Sequence, residues 1–282
     1  MSREYFTHSS ESVTGGHPDK LCDLVAANVL DEAILKSLEI GKLPRVAMEV
    51  SAKGDLTSRG GTLLLFGEVS LPHGVTLDYE TIARKTIERI GYNNAADGFS
   101  NKLNELLVRI TEQSKDIDAG VSGTRTGAGD QGFMIGGAVD DGPEYMPMPI
   151  MIAHALVEKL TLARETTLPF LKPDGKSQVI VRYKNGLAVG VDHITIAASH
   201  YDSIDQRQLK QILIDQIIIP TLDSFNFGIG DDTEILINGA GAWTTPGPLS
   251  DAGTTNRKII ADTYGGMFPH GGGGLNGDRK SV

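Results

Sequence analysis

The chain has 282 residues, of which 40% are apolar, and a formal net charge of −10 at neutral pH. The apolar content suffices for buried cores, whereas the acidic balance excludes a protein whose main task is to grip a nucleic-acid backbone. The sequence has no run of about 18 apolar residues that could span a membrane. The first residues have neither the basic region nor the apolar region of a signal peptide. We therefore expect a cytoplasmic globular protein with no nucleic-acid or membrane partner. The single Cys22 cannot form an internal disulfide and is expected to be a core residue.

The first part of the chain predicts a helix, a β-hairpin and a second helix. The segment from His17 to Leu38 has Pro18 at a suitable first helical position. Two runs with strand patterning follow, PRVAMEVSAK and TLLLFGEVSL, and the segment DYETIARKTIERIG then carries apolar residues at helical spacing. This order predicts one αβ unit within residues 1–115.

The second part repeats the same order. Met148 to Glu165 predicts a helix, and the runs SQVIVRYK and LAVGVDHITIAASH flank Asn185-Gly186, a strong signal for a two-residue hairpin turn. The amphipathic segment DQRQLKQILIDQIIIP follows. The repetition predicts an α+β fold of mixed or antiparallel sheets with helices on one face. We expect units at 1–115 and 116–233 and a truncated third unit at 234–282 that opens with a buried strand, EILIN, with the chain free to interleave between units.

Two glycine-containing motifs are candidates for ligand binding. Residues 127–132, GAGDQG, hold a carboxylate and an amide between glycines, and either a ligand loop or a tight turn accounts for them. Residues 12–20 lead a glycine pair into a helix N-terminus, which is a natural site for an anion. There His17 offers a protonatable donor, Asp19 a possible Mg²⁺ ligand and Lys20 a cation for phosphate. His17 alone is equally consistent with an ordinary surface residue.

Two further motifs complete a recognisable set: residues 172–178, KPDGKSQ, which we predict to be a charged turn feeding a strand, and residues 251–266, DAGTTNRKIIADTYGG. At these four places the chain resembles the methionine adenosyltransferase, or S-adenosylmethionine synthetase, family. The patterns E-S-V-x-x-G-H-P-D-K, G-A-G-D-Q-G, P-D-x-K-S-Q-V and D-x-G-x-T-x-R-K-I-I-x-D-T-Y-G-G occur in the family's order, and the resemblance extends from Phe6 to Gly274. It implies a pseudo-threefold plan of repeated units.

The resemblance also implies a reaction and its ligands. The sulfur of L-methionine attacks C5′ of ATP, and the expelled triphosphate is hydrolysed to pyrophosphate and phosphate. The implied cofactors are Mg²⁺ and K⁺. The implied partner is a second copy of the chain in a dimer or tetramer, with the alternative of a second polypeptide that supplies the missing C-terminal part.

Each matching residue receives a role from the resemblance. The implied catalytic residues are His17, Lys176, Arg257 and Lys258. The implied ATP-binding residues are His17, Lys20, Asp174, Lys176, Trp243, Asp251, Arg257, Lys258 and Gly274. Methionine would be bound by Glu68, Gln113, Asp130 and Asp251, whereas Asp19 would hold Mg²⁺ and Glu49 would hold K⁺.

The chain departs from the family pattern at several points. Trp243 stands where the family has an aromatic ring on adenine, and a core anchor is the alternative; Ala242 replaces a usual arginine. The chain reaches Val282 where the family continues for a hundred or so residues. One half of a split enzyme, a compact homo-oligomeric enzyme and an inactive relative all remain open. The leading function is adenosyl transfer, with a non-catalytic or half-site subunit as the alternative and triphosphate hydrolysis without methionine as a third hypothesis.

Overall fold

The computed structural model describes residues 5–56, 60–102, 105–112 and 131–275. The chain also contains a 3₁₀ turn at Ala95–Asp97 and a π-helical segment at Ile214–Ile218. In chain order the elements are β1 (Tyr5–Val13), α1 (Pro18–Leu38), β2 (Arg45–Lys53), β3 (Thr62–Ser70), α2 (Tyr79–Ile90), β4 (Glu105–Thr111), α3 (Met148–Thr166), β5 (Leu171–Lys184), β6 (Leu187–His200), α4 (Gln206–Leu213), α5 (Ile219–Ser224), β7 (Glu234–Ile237), α6 (Gly247–Ser250) and β8 (Gly253–Thr254).

The chain divides into two compact units, each built from separate segments. The first contains residues 1–17, 135–246 and 260–270, and the second contains 18–134, 247–259 and 271–282. The chain therefore passes repeatedly from one unit to the other. These units are defined by internal contacts and differ from the sequence units at 1–115, 116–233 and 234–282, which stay a prediction.

The first unit is a four-stranded sheet covered by helices. Its strand order is β1-β5-β6-β7, with β1 and β6 antiparallel to β5 and with β7 parallel to β6. Because successive side chains of a strand point to opposite faces, alternate residues of β5 are buried. They meet α3, and the shared core includes Ile152, Leu156, Val179, Ile194 and Ile196. Burying each such side chain contributes about 1.5–3 kcal/mol to stability.

The second unit repeats the plan with a different sheet. Its strand order is β4-β3-β2-β8; β2 runs antiparallel to both β3 and β8, and β3 runs parallel to β4. Helices α1 and α2 pack together, and α1 also packs on β2 and β8. The core includes Leu21, Val25, Val50, Leu63 and Ile87.

The predicted α+β fold with repeated helix, hairpin and helix is confirmed. Helices α1 and α3 precede the hairpins β2–β3 and β5–β6, and each hairpin is followed by a helix. At the turn of the second hairpin, Asn185 and Gly186 both have positive φ, 52° and 84°. Two positive φ values are the signature of a type I′ turn, whose twist matches the strands that it joins.

Two local predictions were wrong. Residues 172–178 form part of β5 and do not form a turn, because Thr14 binds Pro173 and Gly175 through its backbone and its hydroxyl. The run EILIN contains a strand, as predicted, but β7 lies at the edge of its sheet and Leu236 is 46% exposed. Within the described residues, no helix has the length and apolar character needed to cross a membrane.

Candidate active site

The second unit places a buried carboxylate beside two cations. Asp19 lies in the first turn of α1, and its side chain is 1% exposed. Its Oδ2 lies 2.9 Å from Nζ of Lys258, and its Oδ1 lies 3.5 Å from Nε of Arg257. The backbone N–H of Thr254 also donates to Oδ1 at 3.0 Å. These partners stabilise a charge that burial alone would make costly, since the helix N-terminus favours an anion as well.

Strand β8 brings these partners to α1. Gly253 and Thr254 pair antiparallel with Ala52 and Ser51 of β2, so the segment that follows reaches the helix. A side chain at position 253 would overlap the carbonyl group of Pro18, and only glycine allows this close approach. Residues 253–258 therefore meet the first turns of α1 through a two-residue strand.

The next turn of α1 continues this ion-pair network. Lys20 Nζ lies 3.3 Å from Asp23 Oδ2, and the backbone N–H of Asn256 donates to Asp23 Oδ1 at 2.9 Å. Between these residues, burial raises the pKa of the Cys22 thiol well above its ordinary value, and the charges of Asp23 and Asp19 raise it further. A thiol that stays protonated is inert, which agrees with the prediction that Cys22 is a core residue.

Glu49, the predicted K⁺ ligand, is held by the same segment. Its carboxylate accepts hydrogen bonds from the Thr255 hydroxyl and, at 3.3 Å, from the side-chain amide of Asn256. Asn256 has a φ of 64°, in the left-handed region that asparagine tolerates better than most residues. Its side-chain oxygen also accepts from the N–H of Leu275 at 3.2 Å, next to the predicted ATP-binding residue Gly274.

The first unit places another part of the predicted set. His17 is buried, and its backbone N–H donates to the carbonyl of Thr14 at 3.0 Å. A side chain at Gly16 would overlap the carbonyl of Pro173, so the segment before His17 lies directly on the start of β5. Asp174 is buried there.

Lys176 lies two residues beyond Asp174 on β5. Its backbone pairs with Val13 and Ala197. Lys176 is exposed, whereas Asp174 and Ser177 are buried. An exposed ammonium is suited to meeting an anion from solution.

Trp243 lies in the loop after β7, within the first unit. Its backbone exchanges hydrogen bonds with His200, and its indole Nε1–H donates to the carbonyl of Thr245 at 2.7 Å. The residue is partly exposed and does not belong to either core cluster of the described residues. This placement argues against the alternative that Trp243 is a core anchor.

The predicted methionine residues are only partly covered by the structure. Glu68 lies exposed on β3, opposite Ala47, and Asp251 lies exposed just before β8, with its N–H bound to the carbonyl of Gly247 at 3.1 Å. Gln113 and Asp130 fall outside the described residues, as do residues 127–130 of the glycine loop. The grouping of these residues into a methionine site stays a prediction.

Four residues contact predicted site residues or their neighbours although the sequence did not single them out. Thr254, Thr255 and Asn256 bind Asp19, Glu49 and Asp23, and they lie inside a motif that we identified for its charged members. Their position between Gly253 and Arg257 is the sequence feature that could have identified them. The fourth is His200, for which the sequence offered no such feature, because its partner Trp243 is 43 residues away.

Comparison with known proteins gives a consistent assignment along the whole chain. The family models for S-adenosylmethionine synthetase match in order: the N-terminal domain over residues 5–115, the central domain over 125–243 and the C-terminal domain over 245–281. An S-adenosylmethionine synthase of Crocosphaera subtropica is 40% identical over 299 residues, which cover 98% of this chain and 69% of the relative. One of Helicobacter hepaticus is 42% identical over 282 residues, covering 99% of this chain and 69% of the relative. The chain therefore belongs to the S-adenosylmethionine synthetase family of transferases.

Proposed function

We propose that the chain is a methionine adenosyltransferase that converts ATP, L-methionine and water to S-adenosylmethionine, phosphate and pyrophosphate. A lone pair of the methionine sulfur forms the new bond to C5′ of ATP, and the C5′–O bond breaks with its electrons leaving on the triphosphate. Water then cleaves the triphosphate. The observation that carries this proposal is the buried Asp19 carboxylate bound to Lys258 and approached by Arg257.

The reaction needs no protein nucleophile, so the work of the site is positioning and charge stabilisation. Negative charge grows on the leaving triphosphate, and fixed cations lower the energy of that state. Lys258 and Arg257 are held at one carboxylate but are 18% and 50% exposed, so both remain within reach of an anion. In this proposal His17 and Lys176 are catalytic residues as well.

The remaining residues bind the substrates. Asp174, Lys20, Asp251 and Gly274 contact ATP, and Trp243 offers its aromatic face to the adenine ring. Glu68, Gln113, Asp130 and Asp251 hold methionine. The exposed positions of Glu68 and Asp251 leave both carboxylates available to a ligand.

The proposed cations would bind at Asp19 and Glu49, each a single carboxylate, since the described residues form no group of three or more His, Cys, Asp or Glu side chains that could hold a metal ion. Mg²⁺ prefers oxygen ligands and usually takes one or two carboxylates together with substrate phosphates, which suits a single buried carboxylate such as Asp19. Glu49, oriented by Thr255 and Asn256, supplies carboxylate oxygen for K⁺. When bound, Mg²⁺ supplies positive charge against the leaving triphosphate.

Product formation by the purified chain tests the proposal. With ATP, methionine, Mg²⁺ and K⁺ we expect S-adenosylmethionine and pyrophosphate in equal amounts, together with phosphate. Folded protein that binds ATP but forms no product would instead favour the non-catalytic or half-site subunit. Phosphate release that is insensitive to methionine, and unchanged by Glu68→Ala, would favour simple triphosphate hydrolysis.

We expect the active form to be a homo-oligomer. Analytical ultracentrifugation of the same sample tests this expectation, since a sample that is active as a monomer would contradict it. A dependence of activity on an added second polypeptide would support the split arrangement.

A further inference from the structure

We infer that His200 is a positioning residue for Trp243: it fixes the backbone of the loop that carries the indole ring and so sets how well that ring receives the nucleotide. The inference rests on the proposed function, because it takes Trp243 as the ring that stacks on adenine. His200 does not touch substrate in this assignment. It acts through Trp243.

The edge of β6 organises the whole segment that leads to Trp243. In a strand every second residue directs its backbone hydrogen bonds to the same edge, and residues 196, 198 and 200 all use theirs on this segment. Ile196 O accepts from the N–H of Asn238 at 2.9 Å. The side-chain amide of Asn238 then bonds both backbone groups of Ala198, at 2.8 and 3.0 Å. The last member of the series is the N–H of His200, which donates to the carbonyl of Trp243 at 2.9 Å.

The imidazole of His200 adds further hydrogen bonds to this series. Its Nδ1 lies 2.9 Å from the carbonyl oxygen of Tyr201, which can only accept, so Nδ1 carries the proton. Nε2 is then an acceptor. It receives the Trp243 N–H at 3.4 Å and the side-chain amide of Gln206 at 3.0 Å. His200 therefore contacts Trp243 through both its backbone and its ring, in place of the two backbone bonds of an ordinary antiparallel pair.

The surroundings of the loop increase the effect of the His200–Trp243 contact on the position of the indole ring. The His200 residue is 1% exposed, so its ring has one packed environment, whereas Trp243 is partly exposed. On the far side of Trp243, Lys172 donates to the carbonyl of Thr244 at 2.8 Å and the indole donates to the carbonyl of Thr245 at 2.7 Å. The ring is held from both ends of a short loop while part of its surface stays open to a ligand.

Two substitutions separate the ring contact from the fold. His200→Asn keeps a donor near the position of Nδ1 for the Tyr201 carbonyl but is too short to reach Trp243. His200→Gln is longer and places an acceptor near the position of Nε2. The matched control is His193→Asn, because His193 lies on the same strand but contacts Glu234 and Thr195 and not the Trp243 loop.

Trp243 is the only tryptophan in the chain, so its emission reports directly on this loop. We expect ATP to change the emission of the wild-type chain, whereas inorganic triphosphate, which has no base to stack, leaves it nearly unchanged. His200→Asn should raise the dissociation constant for ATP about fivefold, the effect of losing roughly one hydrogen bond. The KM for ATP should rise in parallel while the KM for methionine stays constant. His200→Gln and His193→Asn should remain within about twofold of the wild type.

Each other outcome overturns the inference. His200→Asn could lower the melting temperature and yet bind ATP as the wild type does, which would make His200 merely structural. An equal effect from His193→Asn would point to a general disturbance of β6. Wild-type emission that ignores ATP would remove the assignment of Trp243, and S-adenosylmethionine formation by the same sample would show that the proposed function still holds.

Discussion

Replacing Lys258 with alanine is expected to lower turnover far more than stability. The substitution removes one partner of an Asp19 carboxylate that is 1% exposed, with Nζ at 2.9 Å. Breaking a buried pair from one side costs about 3–5 kcal/mol in the free energy of unfolding. Because the Thr254 N–H at 3.0 Å and Arg257 at 3.5 Å remain, we expect a smaller loss of about 2 kcal/mol.

The effect on chemistry should be larger, because a fixed donor that meets developing charge contributes about 100-fold to 1000-fold in kcat. S-adenosylmethionine formation at saturating substrates measures turnover, and circular dichroism at the assay temperature measures the folded fraction. The matched control is Lys53→Ala, which removes an exposed lysine of the same unit whose side chain donates to a carbonyl, that of Leu249, at 3.0 Å. If the loss of turnover in Lys258→Ala equals the loss of folded protein, the catalytic assignment of Lys258 is wrong.

Three further predictions test other contacts. Gly16→Ala should destabilise the first unit by about 1–3 kcal/mol, because the new Cβ overlaps the Pro173 carbonyl, whereas Gly228→Ala meets nothing and should melt as the wild type does. Asn256→Gly keeps a φ of 64° accessible but removes the amide from the proposed K⁺ ligand, so half-maximal activity should require more K⁺. Burial, and then a hydrogen bond to Asp141, raise the pKa of Tyr183 above its ordinary value of 10. The protonated Tyr183 hydroxyl therefore contributes to stability below pH 10, and this contribution is lost at higher pH. Ultraviolet titration of tyrosinate, with Tyr183→Phe as the reference, should show one tyrosine that titrates only on unfolding.

The elements with strong local patterning were predictable, and those held by polar contacts were not. Strand β1 has no buried apolar residue; instead Ser10 and Ser12 are buried and bond the carbonyl of Gly265 and the ring of His154. No alternation of apolar and polar residues marks such a strand. Residues 172–178 contain proline and glycine, which favour a turn, but hydrogen bonds to the distant Thr14 and pairing with β1 and β6 draw them into β5. Tertiary contacts decided both cases.

Motifs identified the candidate residues, but they could not say which would meet. The pairing of Asp19 with Lys258 spans 239 residues of sequence. It depends on β8, a strand of two residues, and on a glycine at 253 whose need is visible only once Pro18 is in place. The pattern of residues along the chain does not predict a contact across so large a sequence separation, because strand partners are chosen by packing on both faces of the sheet.

The ion pair of Asp19 and Lys258 is expected to contribute both to stability and to turnover, and a double variant separates the two contributions. Asp19→Asn alone leaves Lys258 without its nearest carboxylate, and Lys258→Ala alone leaves a buried charge short of a partner. Asp19→Asn combined with Lys258→Ala removes both charges, so its loss of stability should be smaller than the sum of the two single losses. If the pair were only structural, turnover would recover with stability in the double variant. Because Lys258 is assigned to the triphosphate and Asp19 to Mg²⁺, we expect the double variant to melt closer to the wild type and yet to remain at least as inactive as either single variant.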